Sequence, residues 1–323
     1  MSRRRIIIDT DPGVDDAAAI FLALASPELD LAGISVVAGN VGLAASVKNA
    51  CKLVALAKRR DVPVYAGAAG PLIRDQVFGK YAHIGSFADT LVPETDLGPQ
   101  AVSSVRFIAE EALKAASEGR RITICAIGPL TNIALALRLA PNVAQGIERI
   151  VMMGGAFASL GHRTPWSEFN VHADPHAAEI VWNSGVPLVL MPLDVTFQAL
   201  FTEEDFRGFE AKSSPCGSAL AALLRTYDRS DIKRFGRPGG AIHDAMTIAW
   251  LLQPDLFSGK EMAIGVTLCG PTAGQTWADF YGKSDRRPNA LVMSGVDERG
   301  YRELVVERIA GLALTSGERE IDA

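Results

Sequence analysis

The stretch Ile6-Ile7-Ile8-Asp9-Thr10-Asp11-Pro12-Gly13-Val14-Asp15-Asp16 restricts the possible folds more than any other part of the chain. A short β-branched run stops at a Pro-Gly turn, and the Ala/Ile/Leu-rich segment from Ala17 to Ala25 behind it reads as a helix. Four carboxylates fall within eight residues at this strand-to-helix turn. Like charges at such spacing repel, and a cleft that gathers them without a counter-charge is expensive to maintain. The orphan N–H groups and dipole of a helix start account for two of the four. All four together call for a cation. Carboxylates with no thiolate or imidazole among them suit a hard, oxygen-seeking ion such as Ca²⁺ or Mg²⁺. Asp15 and Asp16 are adjacent on a helix, so their side chains point about 100° apart. One is then expected to face the ion and the other a substrate beside it. Asp9 and Asp11 share a face if the strand persists through both. The plainer alternative is a solvated acidic helix cap.

Downstream, apolar strand-like runs at 29–38, 62–65, 122–127, 149–153 and 186–193 alternate with helical segments near 44–58, 101–118, 132–139 and 174–183. Asp174-Pro175 is an N-cap followed by proline at the first helical position. Further helices are expected at 203–212, 218–227, 244–252 and 301–314, with strand-like segments at 262–267, 276–281 and 290–296. Three irregular stretches, 67–99, 154–170 and 228–242, interrupt the pattern, and loops of this length are commonly functional. Continuous apolar strands alternating with helices argue for an open, mostly parallel sheet covered by helices on both faces. No linker composition divides the chain, so residues 1–323 read as a single α/β domain with a small C-terminal β appendage.

Ligands of such sheets bind beyond the carboxyl ends of the strands. The unusual polar residues fall there: the four aspartates, Asn40, the turn after Ile127, Met153-Gly154-Gly155 with Glu168 and Asn170 beyond, the Asp194–Thr196 turn, and His243-Asp244. A formal net charge of −5 argues against an electrostatic nucleic-acid binder, and Arg3-Arg4-Arg5 reads as the solvated lead-in to a buried strand. The apolar run Ile6–Ile8 is too short for a signal peptide, and no run suits a membrane span. Cys51, Cys125, Cys216 and Cys269 are scattered without a paired motif, as in a reducing compartment, so a cytoplasmic protein is expected.

With these residues assembled, the chain resembles the nucleoside hydrolases of the inosine-uridine-preferring type. Asp9-Thr10-Asp11-Pro12-Gly13-Val14-Asp15-Asp16 carries the likeness. Gly128-Pro129-Leu130-Thr131-Asn132, Met152-Met153-Gly154-Gly155, Glu168-Phe169-Asn170 and His243-Asp244 follow in the expected order. The resemblance implies hydrolysis of a ribonucleoside to free base and ribose around a tightly held Ca²⁺, and a role in nucleoside salvage. It implies Asp11, Asp16, Asp244 and the main-chain carbonyl of Ile127 as metal ligands. It also implies Asp15, Asn40, Glu168, Asn170 and Asp244 as ribose-binding residues with Met153 beneath the ring, Asp11 as the base acting on a metal-bound water, and His243 beside the departing base. A homodimer or homotetramer is expected, with a ribonucleoside as the partner molecule.

The chemistry asks for these residue types independently. An oxocarbenium-like transition state is positive on the sugar and negative on the base. Carboxylates and amides suit the first, and a histidine near the base suits the second. The family's His-Gly pair is altered here, since Ile84 separates His83 from Gly85 and Phe87 follows. Base recognition is therefore open, with His83, Phe87, Tyr227 and Arg234 as candidates by position and His162 in a nearby loop. Two other functions compete: an Mg²⁺-dependent phosphohydrolase using Asp9 and Asp11, and a non-catalytic metal-dependent ribose-binding protein. A calcium-binding EF-hand fails because Ile20 stands where its bidentate glutamate belongs, and a dinucleotide fold fails for want of GxGxxG after the first strand.

Overall fold

The isoleucine run that opens the chain divides its side chains between two layers. Ile6 and Ile8 enter the core on one face of a sheet and Ile7 the core on the other, the alternation of a strand buried on both sides. The computed structural model describes residues 3–80, 82–227 and 232–314.

The chain begins with β1 (Arg4–Thr10), α1 (Val14–Leu24), β2 (Leu29–Val36), α2 (Leu43–Leu56) and β3 (Val64–Ala66). The alternation continues through α3 (Ser104–Ser117), β4 (Ile122–Ala126), α4 (Thr131–Leu139) and β5 (Ile147–Met153). Next come α5 (Phe169–Ala173), α6 (Pro175–Trp182), β6 (Leu188–Met191) and α7 (Leu193–Thr196). A mainly helical stretch follows: β7 (Leu200–Phe201), α8 (Glu203–Glu210), α9 (Pro215–Thr226), α10 (Ile232–Phe235), β8 (Gly240–Ala241) and α11 (Ala245–Leu252). Last are β9 (Phe257–Met262), β10 (Ile264–Val266), β11 (Thr276–Ala278), β12 (Ala290–Val296) and α12 (Glu298–Ala310).

Eight strands form one sheet in the order β3-β2-β1-β4-β5-β6-β12-β9. Neighbours pair parallel except β9, which runs antiparallel to β12 at the edge. From β1 the chain crosses to β2 on one side and later to β4 on the other, which opens a crevice beyond the carboxyl ends of these strands. Helices α9, α11 and α12 gather round α1 on one face, and α3, α4 and α6 form the opposite layer. The predicted cap at Asp174 is present: its side chain accepts from Ala177 N at 3.0 Å, with Pro175 opening α6. Ser214-Pro215 is a second cap of this kind, so α9 starts earlier than its apolar pattern alone suggests.

The mostly parallel sheet and the small C-terminal β appendage both stand as expected. The β10–β11 ribbon is that appendage, while Ala290–Val296 lies within the main sheet beside β6. Local periodicity identifies a strand but not its partner, and this partner lies about a hundred residues away. The single strand expected at 262–267 is two strands, with β9 on the sheet and β10 in the ribbon. Short helices α5 and α10 interrupt stretches expected to be irregular, and α12 starts at Glu298, capped by Asp297. Among the described residues no helix is long and apolar enough to cross a membrane.

Candidate active site

The turn from β1 to α1 distributes its four aspartates among three environments. Asp9 points into the frame of the sheet. Its Oδ1 accepts from the Ser35 hydroxyl on β2 and from Asn132 Nδ2 on α4, the latter at 2.9 Å. Asn132 also donates to Val36 O at 3.1 Å and accepts from Ala68 N at 2.8 Å. This knot joins four segments beneath the crevice. Asp9 Oδ2 is buried without a partner, and burial raises the Asp9 carboxyl to a pKa of about 7 against the bonds from Ser35 and Asn132. Asp9 is completely enclosed, and its bonds to Ser35 and Asn132 commit it to this knot.

Asp11 sits past the end of the strand, so it does not share the environment of Asp9. Its Oδ2 accepts from Asn40 N at 2.6 Å, while its Oδ1 is buried with no partner. Two glycines make room for it: a Cβ at Gly39 would lie 2.1 Å from Oδ2, and one at Gly128 2.8 Å from Oδ1. Burial, and then the charge of Asp16, hold the Asp11 carboxyl well above the usual carboxylate range. Asp16 accepts from Thr10 Oγ1 at 2.6 Å and from Gly13 N at 2.9 Å, the second bond belonging to the capping of α1. Burial and the adjacent Asp15 raise it to about 6.

Oxygens of Asp15, Asp16 and Asp244 come within 4.8 Å of one another. Asp15 and Asp16, adjacent on the helix, thus each bring an oxygen toward Asp244. Asp244, which precedes α11, joins them from the far end of the sequence. The charges acting on Asp11 and Asp16 are those of neighbouring aspartates. A buried acid cluster with an unpartnered carboxylate oxygen next to it fits a divalent cation. Asp15 lines the cleft, Asp16 lies fully buried behind it, and Asp11 stands beside this group.

Above the acids is a cleft of about 510 Å³. Asp15, Asn40, Ile127, Met153, Glu168, Asn170, His243 and Asp244 line it, whereas Asp11 and Asp16 lie behind the lining, fully buried. Asn40 Nδ2 donates to Asp11 O at 3.2 Å and Asp16 Oδ2 at 3.3 Å, which ties the β2 edge to the acid turn. Asn170 Nδ2 donates to Ile127 O at 3.1 Å and Met153 O at 3.2 Å. The carbonyl expected to ligate metal therefore already accepts one bond, and a carbonyl oxygen has a second lone pair. Glu168 caps α5, accepting from Asn170 N at 2.7 Å, Val171 N at 3.0 Å and Gly155 N at 3.2 Å. The site residues thus also hold one another in place.

His243 closes the other end of the cleft. Its Nδ1 lies 2.7 Å from Thr196 Oγ1, and its ring meets Phe197 and His162 edge-on at centroid distances of 5.3 and 5.8 Å. Arg234 lies over the Phe197 ring at 4.2 Å and donates to Leu160 O and Gly161 O at 3.1 and 2.9 Å. Of the residues proposed to grip the base, Phe87, Tyr227 and Arg234 line the cleft, together with His162. His83 is exposed and outside the lining. The sequence reading did not single out Phe197 as a wall or Thr196 as the partner of His243. Their place directly after β6, at the carboxyl edge of the sheet, was the available signal.

An acid-floored cleft at that edge, with amides along one wall and a buried imidazole at the other end, is found here on the fold of known ribonucleoside hydrolases. The purine-preferring ribonucleoside hydrolase from Gardnerella vaginalis superposes with a TM-score of 0.84 at 31% identity, covering 96% of this chain and 99% of that one. A plant nucleoside hydrolase, PpNRh1, gives 0.86 at 30% identity over 96% of this chain and 100% of its own. The pyrimidine-specific ribonucleoside hydrolase RihA of Citrobacter koseri is 42% identical over 308 residues, 94% of this chain and 97% of the relative. Residues 6–303 match the family described as inosine-uridine preferring nucleoside hydrolase, and the chain belongs to that family. The protein is an N-ribosyl hydrolase acting on ribonucleosides.

Proposed function

We propose that the protein hydrolyses the N-glycosidic bond of ribonucleosides in a Ca²⁺-dependent reaction, with pyrimidine ribonucleosides preferred. The observation that carries the reading is the buried acid group, in which Asp15, Asp16 and Asp244 converge and Asp11 Oδ1 lacks a partner. Asp11, Asp16, Asp244 and the Ile127 carbonyl would hold the ion, with Asp15 at its edge. Carboxylate and carbonyl donors, with room left for hydroxyls and water, suit the six to eight oxygens Ca²⁺ takes better than the strict octahedron of Mg²⁺. When bound, such an ion acidifies water and orients sugar hydroxyls.

The protein's own groups divide the remaining work. Asp15, Asn40, Glu168, Asn170 and Asp244 hold the ribose, and Met153 supports the ring from below. Amides and carboxylates fixed in advance by their own hydrogen bonds stabilise an oxocarbenium-like sugar without reorganising. Asp11 takes the proton of the water that attacks the anomeric carbon. His243 gives a proton to the departing base, and direct attack inverts the anomeric centre. The preference for pyrimidines is supported by the 42% identity to an enzyme named pyrimidine-specific, against 31% for the purine-preferring one.

The test is base release from uridine, cytidine, inosine and adenosine, with 2′-deoxy controls, before and after dialysis against a calcium chelator. Uridine and cytidine should be cleaved fastest, and the 2′-deoxy compounds poorly. Activity and thermal stability should fall on chelation and return with Ca²⁺. A dialysed enzyme shown by elemental analysis to be metal-free, yet fully active, would refute the metal assignment. Faster turnover of inosine than of uridine would refute the base assignment alone.

A further inference from the structure

The short helix α7, just before the cleft-lining Phe197, has no part in the chemistry assigned so far, yet it is anchored at several points. Leu193 N donates to Gly155 O at 2.9 Å. The Asp194 carboxylate accepts from Phe157 N at 2.9 Å, Ala158 N at 2.6 Å and Ser159 N at 3.0 Å. Just past the helix, Gln198 Nε2 donates to Asp194 O and Ser294 O, both at 2.7 Å. Between these anchors stands Thr196, completely buried, with its hydroxyl 2.7 Å from Nδ1 of His243.

We propose that Thr196 is a positioning residue for His243, its hydroxyl holding Nδ1 so that Nε2 is the atom that serves the departing base. This rests on the reading of His243 as the leaving-group acid. Edge contacts with Phe197 at 71° and His162 at 86° fix the plane of the ring. They do not fix which edge faces the cleft, because an imidazole turned over about its Cβ–Cγ bond fills nearly the same volume. The hydrogen bond to a rigidly mounted hydroxyl makes that choice. In the step itself the C1′–N bond breaks and its electron pair stays with the base. The proton on Nε2 moves to the base heteroatom that gains the charge, and Nδ1–H continues to donate to Thr196 Oγ1. A hydroxyl can do this without adding a charge to a cleft already rich in carboxylates.

The experiment compares Thr196→Val, Thr196→Ser and His243→Ala on uridine and on 4-nitrophenyl β-ribofuranoside, whose leaving group hardly needs a proton. General acid catalysis is worth ~10²–10⁴-fold, so loss of its orientation in Thr196→Val should lower kcat on uridine by roughly 10- to 100-fold. KM for uridine and turnover of the nitrophenyl riboside should stay within about threefold of wild type, and Thr196→Ser should restore uridine turnover to within about threefold, since it keeps the hydroxyl. If Thr196→Val does not fold, Thr196→Ala against Thr196→Ser carries the same comparison. Equal losses on both substrates, unchanged kcat on uridine, or a serine variant as slow as valine would overturn the proposal. His243→Ala separates the two levels: a selective loss there without one in the Thr196 variants sinks the role of Thr196 alone. Equal loss on both substrates in His243→Ala sinks the leaving-group reading with it.

Discussion

Replacing Asp9 by asparagine tests whether this aspartate belongs to the frame and not to the chemistry. In the folded protein Asp9 titrates near 7, against 3.8 for the free side chain, because the sheet withholds water from it. A carboxyl whose folded pKa is raised binds its proton more tightly in the native state. Its contribution to stability is therefore complete below about 3.8 and is lost as the pH rises through about 7. Between pH 5 and pH 8 the native state carries close to one extra proton over some two pH units. At about 1.4 kcal/mol per unit, this one group should cost the wild type roughly 3 kcal/mol across the interval. Asparagine keeps a carbonyl oxygen for Ser35 and Asn132 and cannot ionise. It also places an N–H₂ where Oδ2 has no partner, an expense of about 1–3 kcal/mol that does not vary with pH. The informative quantity is therefore the pH dependence, not the stability at a single pH. Urea denaturation of wild type and Asp9→Asn in chelator at pH 5, 6, 7 and 8 supplies it. The difference in unfolding free energy should shift in favour of the variant by roughly 3 kcal/mol from pH 5 to pH 8. Asp11 and Asp16 remain in both proteins, so their titration largely cancels. A difference that stays constant over this range would refute the burial argument.

Other substitutions separate chemistry from support. Asp11→Ala should leave the fold intact and lower kcat for uridine by about a thousandfold or more, since it removes a base and a proposed ligand together; near-normal steady-state turnover would remove Asp11 from the mechanism. Asn170→Ala strips bonds from the Ile127 and Met153 carbonyls. It should lower kcat/KM for ribosides by roughly 100-fold while the thermal midpoint falls only a few degrees, because a hydrogen bond that also orients substrate counts more in the transition state than in folding. Asp174→Ala should do the reverse. It removes a cap on Ala177 N together with bonds from Leu72 N and Thr131 Oγ1, for a stability loss of about 2–4 kcal/mol in denaturant titration and kcat/KM within about threefold of wild type.

How far the site was legible in the sequence depends on the range of the interaction involved. Strand-to-helix turns and their caps are local, so the acid turn after β1, Asp174-Pro175 and the run of polar residues along the carboxyl edge could all be read from neighbouring residues. The parallel sheet followed from apolar runs with no polar face. Strand neighbours did not follow: nothing local says that Ala290–Val296 pairs with β6, about a hundred residues earlier. The irregular stretches were recognised as irregular, but no period tells which of their side chains enter the cleft. Phe87 does and His83 does not.

The four aspartates show the same limit most sharply. In the sequence they are equivalent charges waiting for one cation, because only their mutual spacing is visible. What separates them is remote: Ser35 and Asn132 claim Asp9, Asn40 and two glycines cradle Asp11, and Asp244 arrives from over two hundred residues away to meet Asp15 and Asp16. Repulsion among acids signals that something must neutralise them, and it signals this whether the remedy is an ion, a hydrogen-bond knot or a proton. The fold uses different remedies for different members of the group. Asp9, enclosed and bonded with a pKa near 7, has no need of the ion proposed for the converging acids beside it.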